Sequence, residues 1–556
     1  MIAQPLVLLG AFYSSVCLGQ TASLPIIDLG YQRHQASWYN RASDSYNFAN
    51  IRYAEPPVGE LRFAAPVRPQ GRNAVVQNGS QGGICPQAWA AWGIASHDFG
   101  MAYLHGNTSD YNYTRELDVM REAEPQILAA DSSAEFSEDC LFLDVVVPRR
   151  ILERGSSSGA PVFVWLHGGG FVYGHKNDSA VGGDPAGLMR ASQLDGSDGF
   201  IFVAPNYRLG AFGWLAGASV DAVHAKANAG LDDQRLALEW VQSHIHCFGG
   251  DAKQVTVGGL SAGGSSILHH LTARRGKSRV PFQRAFLNSP GFQPFASALQ
   301  VENRTQTFLH LANVSSLAQA RQLSWEALRQ ANGRHVASSR LGYLYGPSVD
   351  GDYVPSLPGS ALARGELNKA LDGSDVDVLM SYAVLEGGEY NAPWVRTDDD
   401  FEALLRNVLL PWASDEAIQA IVAMYPGQDA VRTMRFIGDF AFSCSVNWLS
   451  QARGNKTYTY MYDMYPGFHG WDVPYTFYGT EHPLTGTAQH QEPAMTLQRY
   501  ITNFVKTGNP NGPDLPPFPP QGANASINVM GQNGWTLQRD STANPRCQWI
   551  QKWLLA

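Results

Sequence analysis

Short apolar runs rich in β-branched and aromatic side chains recur along the chain, each ending near Gly, Ser or Asn. They fall at residues 161–166 (PVFVWL), 200–204 (FIFVA), 255–257 (VTV), 284–287 (RAFL), 376–382 (VDVLMSY) and 457–462 (TYTYMY). Such runs predict buried strands. Between them the apolar spacing changes to three and four. Residues 232–245 set Leu238, Val241 and Ile245 on one face, and residues 492–506 carry a helical pattern closed by Gly508. The alternation predicts an α/β fold: a mostly parallel sheet with helices on both faces and long insertions between strands. In such sheets the chemistry sits in loops beyond the carboxyl ends of the strands.

After the run 255–257 comes Gly259-Leu260-Ser261-Ala262-Gly263, followed by the helical stretch SSILHHLTAR. Strand, G-x-S-x-G and helix in that order form a nucleophile elbow, a turn so sharp that its flanking positions must be small. Without that context the motif would be an ordinary turn with a solvated serine. After the run 161–166 comes His167-Gly168-Gly169-Gly170-Phe171. A glycine loop there can present backbone N–H groups to an oxyanion. Gly169 and Gly170 are the expected donors, joined by Ala262. A phosphate cradle is the competing reading, but the nearest Lys-Ser pair, in RRGKS, has Leu271 where a P-loop requires its first glycine.

A serine hydroxyl needs a neutral imidazole to take its proton and a carboxylate to orient that imidazole. Behind such an elbow the partners follow in the order serine, acid, histidine. The run 376–382 leads into Leu385-Glu386-Gly387-Gly388-Glu389, and the run 457–462 leads into Gly467-Phe468-His469-Gly470. His469 is therefore the expected base and Glu386 the expected acid, with Glu389 and Asp350 as rivals. A neutral base implies activity that falls below about pH 6, near the free histidine pKa.

Composition narrows the classes. At 556 residues, 44% hydrophobic and 16% charged, the chain can bury a large core. No linker, repeat or charge run divides it, so residues 20–556 are expected to form one elaborated domain. A net charge of -9 and a pI near 5.9 exclude a nucleic-acid groove as the expected partner surface. Residues 5–19 (PLVLLGAFYSSVCLG) are apolar but too short to span a bilayer. They predict a signal peptide over residues 1–19, cut near Gly19 and Gln20, the alternative being a buried N-terminal strand. Eight N-x-S/T sequons, at Asn78, Asn107, Asn112, Asn177, Asn303, Asn313, Asn455 and Asn524, fit passage through a secretory pathway and a secreted, glycosylated product. Six cysteines include Cys17, which the cleavage would remove; of the five left, at least one is unpaired or pairs between chains.

Taken together, these blocks resemble the type-B carboxylesterase, lipase and cholinesterase family, with fungal secreted members the nearest in kind. The resemblance runs over almost the whole mature chain and includes NIRYAEPPVGELRF (50–63), SEDCLFLDVVVP (137–148), LHGGGFVYG (166–174), NYRLGAFG (206–213), NAGLDDQRLALEWV (228–241), FGGD (248–251), SVDGDYVP (348–355), LEGGEY (385–390), HGWDVPYTFYG (469–479) and NFVKTGNPNG (503–512). It implies the α/β-hydrolase fold and hydrolysis of carboxylic or lipid esters through an acyl-enzyme, with no cofactor or metal. It places the triad acid at Glu386, in the family's E-G pair. It also implies bridges Cys85–Cys140 and Cys444–Cys547, leaving Cys247 free beside His244 and His246, a trio too sparse for a metal site. In lipase-like relatives the loop between the first two cysteines acts as a lid. Here it carries Trp89, Trp92, Phe99, Met101, Tyr103 and Leu104, which either meet a lipid interface or pack on the body. One departure stands out: Leu260 replaces the family's usual glutamate before the nucleophile, which argues against a choline ester. A dedicated esterase acting on one secondary metabolite and a non-catalytic binding protein are the alternatives to a general esterase or lipase.

Overall fold

The six apolar runs all become strands of one eleven-stranded sheet in the computed structural model, which describes residues 23–108, 111–112, 118, 122, 135–220, 225–291, 295–427, 430–479 and 488–554. The expected signal peptide lies outside the described residues. In chain order the strands are β1 (Trp38–Asn40), β2 (Ser45–Arg52), β3 (Phe142–Pro148), β4 (Ala160–Leu166), β5 (Ile201–Pro205), β6 (Gly250–Leu260), β7 (Arg284–Asn288), β8 (Asp377–Ala383), β9 (Tyr458–Asp463), β10 (Ser526–Gly531) and β11 (Gly534–Arg539). Across the sheet they run β11-β10-β9-β8-β7-β6-β4-β5-β3-β2-β1. Strands β4 to β10 are mutually parallel; β1, β2, β3 and β11 pair antiparallel at the margins. This is the α/β-hydrolase fold.

Strand β4 shows why these runs are apolar throughout. Val162, Val164 and Leu166 point into one core while Phe163 and Trp165 point into a second on the opposite face. A strand covered on both sides gains from burying every position, and the helices that parallel connections require supply the cover. The expected helices form as Ala229–His244, Ala262–Thr272 and Ala488–Thr507. The strands not expected from the pattern have physical reasons for hiding. In β3, Asp144 interrupts the apolar run, yet it is buried in an ion pair with Lys176 at 2.7 Å. Strand β2 alternates polar and apolar positions and loses register between Phe48 and Ile51; β11 is an edge strand exposed over its last four residues.

Cys85 bonds to Cys140 and Cys444 to Cys547; Cys247 is a free, half-buried thiol. His244 stacks on Trp240 and donates to its carbonyl, while His246 Nε2 lies 3.5 Å from Cys247 Sγ. The second bridge fastens the C-terminal segment to the helix Cys444–Ala452, and Trp448 Nε1 donates to the Cys547 carbonyl at 2.9 Å. Within the first, the helix Trp92–Leu104 sits on the body: Ser96 and Asn391 exchange hydrogen bonds at 2.7 and 2.8 Å, and Phe99 is buried with Ala430 and Met434. Of the sequon asparagines, seven are exposed and Asn455 is half-buried.

Candidate functional site

Ser261 sits where β6 ends and the helix Ala262–Thr272 begins, with φ 55° and ψ −116°. That conformation is costly for a residue with a Cβ and persists only where its surroundings over-determine it. They do so here: the Ser261 N–H donates to the Asn288 carbonyl at 2.9 Å, and its own carbonyl accepts from the Ser265 and Gly291 amides. A Cβ on Gly263 would overlap the Leu166 carbonyl, and one on Gly259 would press on the Gly263 backbone. The demand for small flanks in G-x-S-x-G is thus a matter of strand and helix backbones in contact.

The loops after β8 and β9 meet across the same rim. His469 Nδ1 donates to Glu386 Oε2 at 2.5 Å, and Glu386 Oε1 accepts the Ala383 N–H at 2.7 Å. The pair is dry, Glu386 being 2% and His469 8% exposed. His469 Nε2 is buried with no hydrogen-bond partner, and it lines the same cavity as Ser261. Phe442 packs on the imidazole with ring centroids 4.4 Å apart and Tyr390 meets it edge-on at 5.4 Å. These two rings hold the imidazole against sideways movement.

The rival carboxylates are engaged elsewhere. Asp350 accepts from Asn228 Nδ2, Asp352 N and Val354 N and so serves a turn. Glu389 borders the cavity but accepts from His97 Nδ1 at 2.9 Å and Trp471 Nε1 at 3.2 Å, not from His469. The hydrogen bond to Glu389 raises the His97 pKa.

Gly169 and Gly170 follow β4 with φ +107° and +58°; a Cβ would strike the Tyr173 carbonyl in the first case and the Tyr343 ring in the second. The N–H groups of Gly169, Gly170 and Ala262 donate no hydrogen bond among the described residues. Unpaired amides held in fixed loops beside a serine can receive a developing negative charge without reorganising. Leu260 is buried at the cavity wall, against Gly168 and near Gly470.

Residues outside the expected triad and glycine loop complete the site. Trp92 meets Tyr343 and Tyr390 at 5.4 and 5.7 Å. Asp472 is buried behind the pair; its Oδ2 accepts from Tyr460 at 2.8 Å, and burial pushes its pKa up to about 6. Asp472 lies inside the block HGWDVPYTFYG, whereas Phe442 and Tyr343 come from segments with no motif at all.

Comparison with known proteins places the chain in a family. The model of the carboxylesterase family matches residues 33–548. The chain is 40% identical over 548 residues to carboxylesterase patB of Aspergillus clavatus, covering 96% of each chain, and 33% identical over 386 residues to a secreted lipase of Arthroderma benhamiae, covering 67% of this chain and 72% of that one. In fold it is similar to the crystal structure of Aspergillus niger EstA, with a TM-score of 0.77 over 95% of this chain and 98% of that one at 24% identity. The chain belongs to the carboxylesterase family and is a serine hydrolase of carboxylic esters.

Proposed function

We propose that Ser261 is the nucleophile, His469 the base and Glu386 the orienting acid, with the amides of Gly169, Gly170 and Ala262 as the oxyanion hole. One observation carries the reading: an imidazole bonded to a buried carboxylate through Nδ1, with Nε2 left unpaired in the cavity that holds the strained serine. His469 takes the Ser261 proton as Oγ bonds to the ester carbonyl carbon. The carbon–oxygen bond to the alcohol breaks, and the same proton passes to the departing oxygen. Water then repeats the sequence, adding to the acyl carbon and returning Ser261. Labelling with a fluorophosphonate tests this directly: stoichiometric modification at Ser261 with loss of ester hydrolysis is expected, and labelling elsewhere refutes the assignment.

The protein is proposed to act outside the cell. Two disulfides suit an oxidising compartment, and the sequon asparagines lie at or near the surface. A mature N-terminus near Gln20 and a glycosidase-sensitive mass in culture medium are the expected results.

A further inference from the structure

Two cavities meet at Ser261, and they differ in size and character. The smaller, about 40 Å³, is bounded by Gly170 and Ala262 and closed by Leu341, Leu409, Ile437 and Phe442. The larger, about 500 Å³, runs past Gly169, Leu260, His469 and Trp471 and is bordered by Glu389. His469 borders only the larger. Because the imidazole hands its proton to the departing oxygen, the alcohol must lie on the side of His469 Nε2 and the acyl substituent on the other. Resting on the triad assigned above, we propose that the enzyme cleaves short-chain esters of alcohols that carry a second hydroxyl, with Glu389 as the acceptor for that hydroxyl.

The acyl limit comes from volume. On one measure the smaller cavity offers about 40 Å³ against about 500 Å³ for the larger, and Leu341, Leu409, Ile437 and Phe442 stand around it. The acyl side is therefore the one that takes the shorter chain. Its walls are apolar, so nothing there rewards a polar substituent.

The alcohol preference comes from Glu389. Its Oε1 is pinned by His97 and Trp471, which fixes the carboxylate at the wall, while Oε2 accepts no hydrogen bond among the described residues. An ionised carboxylate only accepts, so the group that completes it must be a donor. His97 already shares its charge and Leu260 lines the same wall, which favours a neutral hydroxyl over a cation.

The test uses the intact enzyme and two substrate series. Between 2-hydroxyethyl butyrate and propyl butyrate, matched in length, kcat/KM should favour the hydroxylated ester by ~10-fold, the worth of one hydrogen bond to a charged group. Glu389→Gln should bring that ratio close to one. Among p-nitrophenyl esters, kcat/KM should peak between acetyl and butyryl and fall by ~100-fold at octanoyl, and Leu409→Ala should move the peak to longer chains. A ratio near one in the unaltered enzyme, a ratio that survives Glu389→Gln, or octanoyl turnover equal to butyryl each overturns the proposal. Turnover without discrimination leaves the triad standing. Absence of both turnover and Ser261 labelling sinks the triad and this inference together.

Discussion

His270 and His469 are both buried, but their regions of the molecule surround the ring differently. On the helix behind the elbow, His270 is fully buried; Tyr353 donates to its Nδ1 at 2.6 Å and its Nε2 donates to Gln234 at 3.2 Å. Burial pushes its pKa down to about 3. Under the oxyanion loop, His167 leaves Nε2 unpaired as His469 does, but its Nδ1 donates to the neutral Gly168 carbonyl, and burial again pushes the pKa down to about 3. At the opposite rim His469 combines an unpaired nitrogen with a carboxylate on the other side. An open nitrogen alone gives a weak base, because nothing stabilises the imidazolium once it forms. The carboxylate is the difference that matters.

The sharpest way to break the contrast is to turn His469 into a second His167. Glu386→Gln retains a hydrogen-bond partner but removes the charge, and kcat for p-nitrophenyl butyrate should fall by ~10⁴-fold with the fold intact. A drop of tenfold or less would mean that the acid lies elsewhere. The next variant leaves both nitrogens of His469 alone. Gly170→Ala forces a Cβ toward the Tyr343 ring and displaces one oxyanion donor, so kcat should fall ~10²–10³-fold. Its fluorophosphonate labelling at Ser261 separates a damaged oxyanion hole from a lost nucleophile: some labelling is retained in the first case and none in the second.

The smallest effect concerns the structural histidine. His270→Leu strands the Tyr353 hydroxyl and the Gln234 carbonyl and should cost about 2–4 kcal/mol in urea unfolding at pH 7.5, with activity per folded molecule preserved. Its pH signature has a definite sign. The folded pKa lies below the unfolded value, so the stability from keeping this ring neutral is complete above about pH 6.5 and drains as pH falls toward 3. The variant should therefore flatten the acid-side decline by up to about 1.4 kcal/mol per pH unit. An unchanged slope would show that His270 does not hold its proton off.

Much of this site was legible because its parts are backbone demands. G-x-S-x-G and the glycine loop encode close approaches that only glycine permits, and close approaches leave marks in sequence. Glu386 was harder: Glu389 stands three residues away in the same loop, and nothing local says which reaches the histidine. The order of strands and loops pointed to Glu386 with Glu389 as a rival, the family's E-G pair supported that choice, and the structure seats Glu386 on His469 and turns Glu389 to His97. The cavity walls were not legible. Tyr343, Leu409 and Phe442 are ordinary apolar residues whose meeting at Ser261 is a product of long-range packing, and no spacing rule records it. The sheet margins escaped for a related reason, since β2 and β11 are half-buried or exposed and carry the mixed pattern of any surface segment.

The tether between Cys444 and Cys547 has a reach beyond the tail it fastens. Phe442, the ring against the His469 imidazole, stands two positions before Cys444, so the last few residues of the chain help to brace a side chain at the centre of the molecule. Trimming the tail ahead of residue 547, or exposing the enzyme to strong reductant, therefore acts on turnover and not merely on heat tolerance.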